Sequence, residues 1–414
     1  MIMRNILLTI LFCIISNTTA CQTNHATVQS DSNKSSVILI SLDGFRYDYL
    51  EKYSATNLIA LAKRGVRSEA LISVFPSKTF ANHYSIITGL YPAHHGIISN
   101  QFWDPESQKA FSYKDSNANR DAYWWGGEPL WNTVEKQNVK AASFFWPGSE
   151  ALIQGHRASQ WKRYNGAIKN YNRIDTLLSW LTLPENIKPR FIASYFSITD
   201  EVGHEFGPES QEIRRAVIHV DSVIGSLVEG INRMGLSNQV NIILVSDHGM
   251  ATVLPDSLIF LDDMIDVNSV RILNETPFVG IWTKNGNVDE VYKTLVNKHP
   301  RMQVYTRENV PARFKFKGNP RIPEIICLTE PPWSITTRDY AKRHKDKWLY
   351  GSHGFDPEIK EMGGLFIASG PAFEKGKIIP SFENIHIYAL VCHILGITPS
   401  ANDGDINVFK SAIK

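Results

Sequence analysis

The sequence predicts an α/β fold in which a mostly parallel central sheet is covered by helices on both faces. Three short runs rich in Val, Ile and Phe are predicted to be buried strands: SSVILISLDG, RFIASYFSITD and VNIILVSDHGM. Helical patterns alternate with them, namely NLIALAKRGV, TLLSWLTL and RRAVIHVDSVIGSLVEGINRMG. Strands that alternate with amphipathic helices are typical of an open parallel sheet packed between helical layers.

The size and charge of the chain limit its function classes. A chain of 414 residues is long enough for one large α/β domain or two ordinary ones, and a hydrophobic content of 43% supports a substantial core. The formal net charge is only +2 at pH 7, and the sequence has no long basic run. Binding to duplex nucleic acid is therefore not expected, and small molecules are the expected partners.

The first 36 residues are predicted to lie outside the fold. Residues 1–20 combine Arg4, a short apolar stretch and small residues before Cys21, which is the pattern of a signal peptide. Small residues before Cys21 also resemble a bacterial lipobox, although Thr18 stands where a larger aliphatic residue is usual. Residues 21–36 are polar and aperiodic, as in a flexible tether. We expect an exported protein, periplasmic or at the cell surface, that contacts a membrane only through a lipid on Cys21.

Two cysteines remain for the folded part of the chain once Cys13 and Cys21 are assigned to the export segment. They are Cys327 and Cys392. In an exported protein they could pair, or they could stay as two buried thiols, and the sequence leaves both alternatives open.

Each of the three predicted strands finishes in an aspartate: Asp43, Asp200 and Asp247. An aspartate at a strand end is usually a turn or cap residue when it is taken alone. Ligands of open α/β sheets, however, bind beyond the carboxyl ends of the strands, so three such side chains would meet in one crevice. Unpaired carboxylates repel each other there, and the sequence therefore predicts a bound cation.

Three histidines accompany these aspartates. His204 lies four residues after Asp200, His248 directly follows Asp247, and His353 stands in the glycine-flanked loop GSHGF. A lone histidine is more often a packed or surface residue. Carboxylate and imidazole ligands together favour zinc, with manganese as the alternative.

The stretch FPSKTFANHYSIITGLYPAHHGI places Thr79 at the front of an apolar helical run. One interpretation is a capped surface helix, in which Ser77 or Thr79 accepts a backbone N–H and the Gly and Pro of GLYP end the helix. The other is a nucleophile, because free amides and the positive end of the helix dipole favour an anion such as phosphate. This stretch alone does not decide between them.

With these residues in place, the chain resembles the nucleotide pyrophosphatase/phosphodiesterase family of the alkaline phosphatase superfamily. The resemblance runs from LISLDGFRYDYL through FPSKTFANHYSIITGLYPAHHGIISN, FFWPGSE, DEVGHEFGP and SDHGM to GSHGFDP and NIHIYALVCHILGITP. Ala81 stands where a proline is common in the family motif, which puts no ligand in doubt. The resemblance implies an alkaline phosphatase-like catalytic domain over 37–414, with a smaller cap-like insertion at roughly 251–349.

The resemblance also implies a role for each matching residue. Two zinc ions would be held, one by Asp43, Thr79, Asp247 and His248, the other by Asp200, His204 and His353. Thr79 would also be the nucleophile, and Asn100 of GIISN would hydrogen-bond a phosphate oxygen. Lys78 would lie near the phosphates. Phe80 and Tyr164 would sandwich a nucleobase, with Trp146 nearby, although packing in the core is the alternative role for these aromatics.

The implied reaction is hydrolysis of phosphodiester or pyrophosphate bonds in nucleotides, nucleotide sugars or dinucleotides. It would release nucleoside 5'-monophosphates through a covalent nucleotidyl-threonine. A sulfatase would need Cys or Ser followed by Pro and Arg, and KTFANH has neither pattern. A phospholipid-type phosphodiesterase and a non-catalytic nucleotide-binding surface lipoprotein are the alternatives. The sequence makes no prediction of the oligomeric state.

Overall fold

The structure is a computed structural model, and it describes residues 35–344 and 348–414. The predicted signal peptide, the lipid site at Cys21 and nearly all of the predicted tether lie outside these residues. The described strands are β1 Ser36–Leu42, β2 Val66–Ser68, β3 Leu71–Ile72, β4 Gln101–Asp104, β5 Lys109–Ser112, β6 Ala141–Phe144, β7 Gln160–Lys162, β8 Phe191–Phe196, β9 Val240–Val245, β10 Ala251–Thr252, β11 Leu258–Phe260, β12 Val270–Glu275, β13 Phe278–Thr283, β14 Met302–Thr306, β15 Ile325–Thr329, β16 Ser334–Thr336, β17 Gly351–Ser352, β18 Phe366–Ser369, β19 Lys377–Ile379 and β20 Phe382–Glu383.

The helices vary from single turns to a helix of 23 residues. They are α1 Tyr49–Lys52, α2 Thr56–Lys63, α3 Thr79–Thr88, α4 Pro92–His95, α5 Ser116–Arg120, α6 Leu130–Lys136, α7 Asn170–Leu181, α8 Ile198–Phe206, α9 Gln211–Arg233, α10 Val288–Leu295, α11 Arg338–Arg343 and α12 His386–Leu395. Among the described residues, none of these helices has both the length and the apolar character needed to cross a bilayer.

An eight-stranded sheet lies at the centre, with the strand order β19-β2-β18-β9-β1-β8-β6-β7. The five strands from β9 to β7 run parallel to one another. β18 runs antiparallel to both of its neighbours, β9 and β2. The prediction of a mostly parallel sheet is therefore confirmed, and the three predicted strands become the adjacent strands β9, β1 and β8.

Alternate residues of β1 supply two separate cores, one on each face of the sheet. Val37 and Leu39 belong to the core that contains the apolar faces of α3, α6 and α12. Ile38 and Ile40 belong to the core built with α2, α7 and α9. Because successive side chains of a strand point to opposite faces, one continuous apolar run can serve both helical layers. The three helices predicted from periodicity correspond to α2, α7 and α9.

Helix α3 begins at Thr79, as the sequence pattern predicted, but it is not a capped surface helix. Lys78 is its N-cap residue, and the Lys78 side chain makes no capping hydrogen bond. The Ser77 hydroxyl instead donates to the carbonyl of Phe355 at 3.1 Å. Residues 81–88 are buried, and Gly89 ends the helix in the left-handed region with φ 68°. The interpretation of Ser77 or Thr79 as an N-cap is therefore wrong, whereas the expected helix end at the Gly of GLYP is correct. The first-turn N–H of Phe80 is held by Asn100 Oδ1 instead.

A second, four-stranded sheet has the order β12-β13-β15-β14, and its neighbouring strands are antiparallel. It lies within the range 251–349 that the resemblance assigns to an insertion. It has its own apolar core, to which α10 contributes.

The two cysteines of the described residues are both free and buried. Cys327 lies on β15 in the core of the four-stranded sheet, and Cys392 lies on α12 in a core of the central sheet. They are thiols in separate cores, so the alternative in which they pair is wrong.

Candidate active site

The aspartates predicted at strand ends converge, although one of them is not at a strand end. Asp43 directly follows β1, and Asp247 is the second residue after β9. Asp200 instead lies in the first turn of α8, because β8 ends at Phe196 and the chain turns into helix there. Gly44, with φ 64°, lets these segments meet, since a Cβ at this position would lie 3.0 Å from the Asp200 Cα.

Three imidazoles face these carboxylates. The Nε2 atom of His248 lies 3.0 Å from Asp247 Oδ2 and 3.5 Å from Asp43 Oδ1. His204, one helical turn after Asp200 on α8, places its Nε2 atom 3.4 Å from Asp200 Oδ1. The Nε2 atom of His353, which directly follows β17, lies 3.7 Å from the same oxygen. The i, i+4 spacing on α8 thus brings a carboxylate and an imidazole to one side of the cluster.

Each of these histidines is oriented by the main chain. Because a carbonyl oxygen only accepts hydrogen bonds, each Nδ1 atom carries a proton and donates it, which directs each Nε2 atom at the cluster. The three contacts run from His204 to Gly351 at 2.8 Å, from His353 to Ser77 at 2.7 Å and from His248 to Gly249 at 2.9 Å.

The charges of the cluster are poorly balanced by the protein alone. Among the residues that the structure describes, one oxygen of each carboxylate is buried without a hydrogen-bond partner: Asp43 Oδ1, Asp200 Oδ1 and Asp247 Oδ2. Burial raises the pKa of Asp43, and the neighbouring carboxylates of Asp247 and Asp200 raise it further. Burial opposes ionisation of Asp247 too, but His248 and His83 hold the pKa of Asp247 well below its usual value. Bound cations would satisfy the three orphaned oxygens.

The donor set fits metal ions. Two groups offer ligand atoms that all lie within 4.8 Å of one another: Asp200 with His204 and His353, and Asp43 with Asp200 and His248. Carboxylate oxygen and imidazole nitrogen are ligands that suit zinc, and two such groups are compatible with two ions.

Thr79 lies against this cluster at the first position of α3. Its hydroxyl oxygen is 3.3 Å from His248 Nε2. The next residue, Phe80, donates its backbone N–H to Asn100 Oδ1 at 2.8 Å. That bond fixes the Asn100 amide, so its Nδ2 group is left to donate elsewhere. Thr79, Phe80 and Asn100 all line one cavity together with Asp43 and Asp200.

This cavity has a volume of about 650 Å³, and its walls are aromatic. Phe80 forms one wall, where Tyr113 packs beside it with ring centroids 5.7 Å apart. Tyr164, 51% exposed, lines the cavity from another segment and packs on Phe145 with centroids 5.1 Å apart. The cavity therefore combines apolar ring faces with a charged floor, as ligand sites commonly do.

Two residues predicted to bind substrate are placed differently from the rest. Trp146 lines the cavity but is buried, and its indole N–H donates to the His83 carbonyl at 3.0 Å. Lys78 does not line the cavity, and its amino group donates to the Thr276 carbonyl at 3.1 Å. Trp146 thus lies in the wall of the cavity, and the Lys78 side chain is directed toward the four-stranded sheet.

Comparison with known proteins decides the family. Residues 37–356 match the family model described as type I phosphodiesterase / nucleotide pyrophosphatase. The chain belongs to this family. It is 39% identical over 383 residues to an uncharacterized pyrophosphatase/phosphodiesterase of Schizosaccharomyces pombe, covering 90% of this chain and 79% of that protein. It is 38% identical to the mouse bis(5'-adenosyl)-triphosphatase enpp4, covering 92% of this chain and 82% of the relative.

A solved structure of the same family has the same fold. It is murine ectonucleotide pyrophosphatase/phosphodiesterase 5, described as an inactive threonine-to-alanine variant in complex with AMP. The TM-score is 0.87 at 30% sequence identity, with 92% of this chain and all of that chain covered. The predicted alkaline phosphatase-like fold and the predicted enzyme class, pyrophosphatase/phosphodiesterase, are both confirmed.

Several residues that line the cavity of this phosphodiesterase were not singled out by the sequence. Tyr113 closes the β4–β5 hairpin opposite Asn100, where its N–H donates to the Asn100 carbonyl at 3.0 Å. Glu150, which ends the motif FFWPGSE, accepts the backbone N–H of Tyr164 at 2.9 Å. The others are Lys114, Ser116, Asn119, Phe145, Pro147, Gly148, Arg163, Tyr195, Ser197 and Glu201. Phe145, Pro147, Gly148 and Glu150 lie in FFWPGSE, and Glu201 lies in DEVGHEFGP, so these residues stood in motifs that the resemblance used. The segment from Tyr113 to Asn119 stood in none of them.

Proposed function

We propose that the protein is a metal-dependent nucleotide phosphodiesterase that releases nucleoside 5'-monophosphates through a covalent nucleotidyl-threonine at Thr79. The observation that carries the proposal is the position of the Thr79 hydroxyl. It lies 3.3 Å from His248 Nε2, at the edge of a buried carboxylate–imidazole cluster and inside the aromatic cavity. A threonine there lies beside an imidazole nitrogen and a group that can hold a metal ion, and it has room for a phosphodiester.

We assign two metal ions, zinc with manganese as the alternative, to these side chains. The first would be held by Asp43, Thr79, Asp247 and His248, and the second by Asp200, His204 and His353. When bound, the ions lower the pKa of the threonine alcohol and offset the charge of the reacting phosphate.

The residues of the chain then perform two substitutions at phosphorus. In the first, the Thr79 hydroxyl loses its proton to solvent, Oγ1 forms a bond to phosphorus in line with the departing oxygen, and the leaving group takes the bonding pair. In the second, a water oxygen replaces Thr79 Oγ1, which recovers its proton. Asn100 donates from Nδ2 to the phosphoryl oxygen on which charge develops, while its Oδ1 is held by Phe80.

Nucleotides are the substrate class that we favour over phospholipids. Phe80 and Tyr164 present aromatic rings to one cavity, and base–aromatic stacking is sequence-tolerant and energetically useful. The printed names of the relatives support the same choice, since one is a bis(5'-adenosyl)-triphosphatase and another was solved with AMP. The inactivity of that threonine-to-alanine variant supports a threonine at the centre of the chemistry.

The replacement Thr79→Ala tests the proposal. If Thr79 is the nucleophile, turnover should fall by several orders of magnitude because the covalent route is lost, while metal ions still bind. Thr79→Ser is the matched control, because it keeps a hydroxyl and should retain measurable activity and yield a phosphorylated residue 79 on rapid quenching. A folded, metal-loaded Thr79→Ala protein with near wild-type turnover would overturn the mechanism.

We further propose that the protein is exported and lipidated at Cys21, on the basis of residues 1–36 alone. Mass spectrometry of the protein from its native membrane fraction should show that residues 1–20 are absent and that Cys21 carries an acyl modification. A retained Met1 or an unmodified Cys21 would contradict this proposal and leave the catalytic one untouched.

A further inference from the structure

Tyr195 lies at the carboxyl end of β8, beside the carboxylate cluster. Its hydroxyl donates to Asp43 Oδ2 at 2.6 Å, a length typical of a strong hydrogen bond to a carboxylate. The ring is also fixed by its surroundings. It meets the His83 ring edge-on, with centroids 5.1 Å apart, and the Tyr195 carbonyl accepts from Arg173 Nη1 at 2.9 Å. The Tyr195 hydroxyl is therefore a hydrogen-bond donor whose position relative to Asp43 is fixed.

The hydrogen bond distinguishes the two oxygens of Asp43. Oδ2 accepts the Tyr195 hydroxyl, whereas Oδ1 is buried and has no hydrogen-bond partner in the described part of the chain. Oδ1 is also the oxygen that lies 3.5 Å from His248 Nε2. The rotation of the Asp43 carboxylate is thus set so that a single oxygen faces the group that can hold an ion.

The other group is oriented by different contacts. His204 and His353 take their ring orientations from the carbonyls of Gly351 and Ser77. These carbonyls belong to β17 and to the segment before α3, so they are independent of the Tyr195 hydroxyl. Loss of that hydroxyl should therefore change the position of the Asp43 carboxylate without changing the orientation of His204 or His353.

We propose that Tyr195 is a positioning residue that fixes the Asp43 carboxylate for the metal ion held with His248, while the ion held by His204 and His353 does not depend on it. This inference rests on the proposed two-metal function. Hydrogen bonds to ligating carboxylates hold ligand geometry, and their loss typically costs 10- to 100-fold in metal affinity.

Tyr195→Phe tests the role, because it removes one oxygen and keeps the ring packing. The wild-type holoenzyme and the variant would be dialysed against graded concentrations of a chelator, and the zinc retained per chain would be measured. In Tyr195→Phe, we expect one of the two ions to be lost at a chelator concentration roughly 10- to 100-fold lower than in the wild type. The other ion should be lost at the same chelator concentration as in the wild type.

Tyr84→Phe is the matched control. Tyr84 is also buried, but its hydroxyl has no hydrogen-bond partner within residues 35–344 and 348–414, and its ring packs against His95 and Trp125. Both ions should be retained as in the wild type. Cobalt substitution supplies a second readout, since only one of the two cobalt absorption contributions should change in Tyr195→Phe.

The outcomes separate this inference from the proposed function. A wild-type protein with two ions and a Tyr195→Phe variant with identical retention of both would overturn the role of Tyr195 alone. Equal weakening of both ions, accompanied by a lower melting temperature, would also overturn it, because that is the result of general destabilisation. A wild-type holoenzyme that carries no ion would overturn the proposed function and this inference with it.

Discussion

Replacement of Asn100 by aspartate separates two roles that this side chain can have. Oδ1 accepts the Phe80 N–H at 2.8 Å and so supports the first turn of α3, next to Thr79. Nδ2 is the donor proposed to stabilise the phosphoryl oxygen. In Asn100→Asp, one carboxylate oxygen keeps the bond to Phe80, and the other puts a negative acceptor where the donor was. Asn100→Ala removes both roles.

The expected magnitudes follow from these contacts. Loss of one preorganised donor costs about 10²–10³ in kcat, or roughly 2.7–4 kcal/mol. The new carboxylate adds repulsion of a phosphate charge, of about 1 kcal/mol at 4 Å in bulk water and about 4 kcal/mol at an effective dielectric of 20. We therefore expect turnover to fall in the order wild type, Asn100→Ala, Asn100→Asp, with the last at least about 10³ below the wild type.

The assay is steady-state hydrolysis of a chromogenic nucleotide diester by metal-loaded enzymes, with thermal melting as a control for folding. The order of the two variants is the decisive result. If Asn100 only supports the Phe80 amide, then Asn100→Asp keeps that function and should be the more active variant. Asn100→Asp turnover above that of Asn100→Ala would refute the donor role.

Three further predictions concern the cavity, the metals and the thiols. Phe80→Ala and Tyr164→Ala should each raise KM for nucleotide diesters by the equivalent of about 1–3 kcal/mol, while KM for a small chromogenic diester stays unchanged. An equal increase in KM for both substrates would indicate packing roles instead. Chelation should abolish activity and zinc should restore it, whereas elemental analysis well below two metals per active chain would contradict two ions. Burial raises the pKa of Cys327 and Cys392 to about 12, so a thiol reagent at pH 8 should modify them only after unfolding, and rapid labelling of the native protein would conflict with their burial.

Strand-end positions were predictable because the central strands are buried on both faces. A strand in that environment is a continuous apolar run, and the first polar residues after it mark the edge at which ligands bind. Asp43 and Asp247 were located in this way. The prediction went too far at Asp200, because Ile198 extends the apolar run beyond the point where Ser197, with φ −95° and ψ −15°, turns the chain into α8.

The walls of the cavity were less predictable, for a physical reason. Tyr113 follows a hairpin strand, and Glu150 and Tyr164 lie in loops far from Thr79 along the chain. Periodicity reports which face of an element is buried, but it does not report which loops meet in space. Lys78 is the opposite case, because closeness in sequence did not place its side chain in the cavity. It directly precedes the proposed nucleophile, yet its amino group donates to the carbonyl of Thr276.

The anchoring of the three imidazoles by main-chain carbonyls has a consequence for how this fold can diversify. The carbonyls of Gly351, Ser77 and Gly249 are present whatever side chains surround them. Substitutions in the aromatic walls can therefore accumulate without turning a histidine away from the cluster. The orientation of the histidines therefore depends on the backbone conformation. The side chains of the cavity wall can change, and with them the substrate that the site accepts.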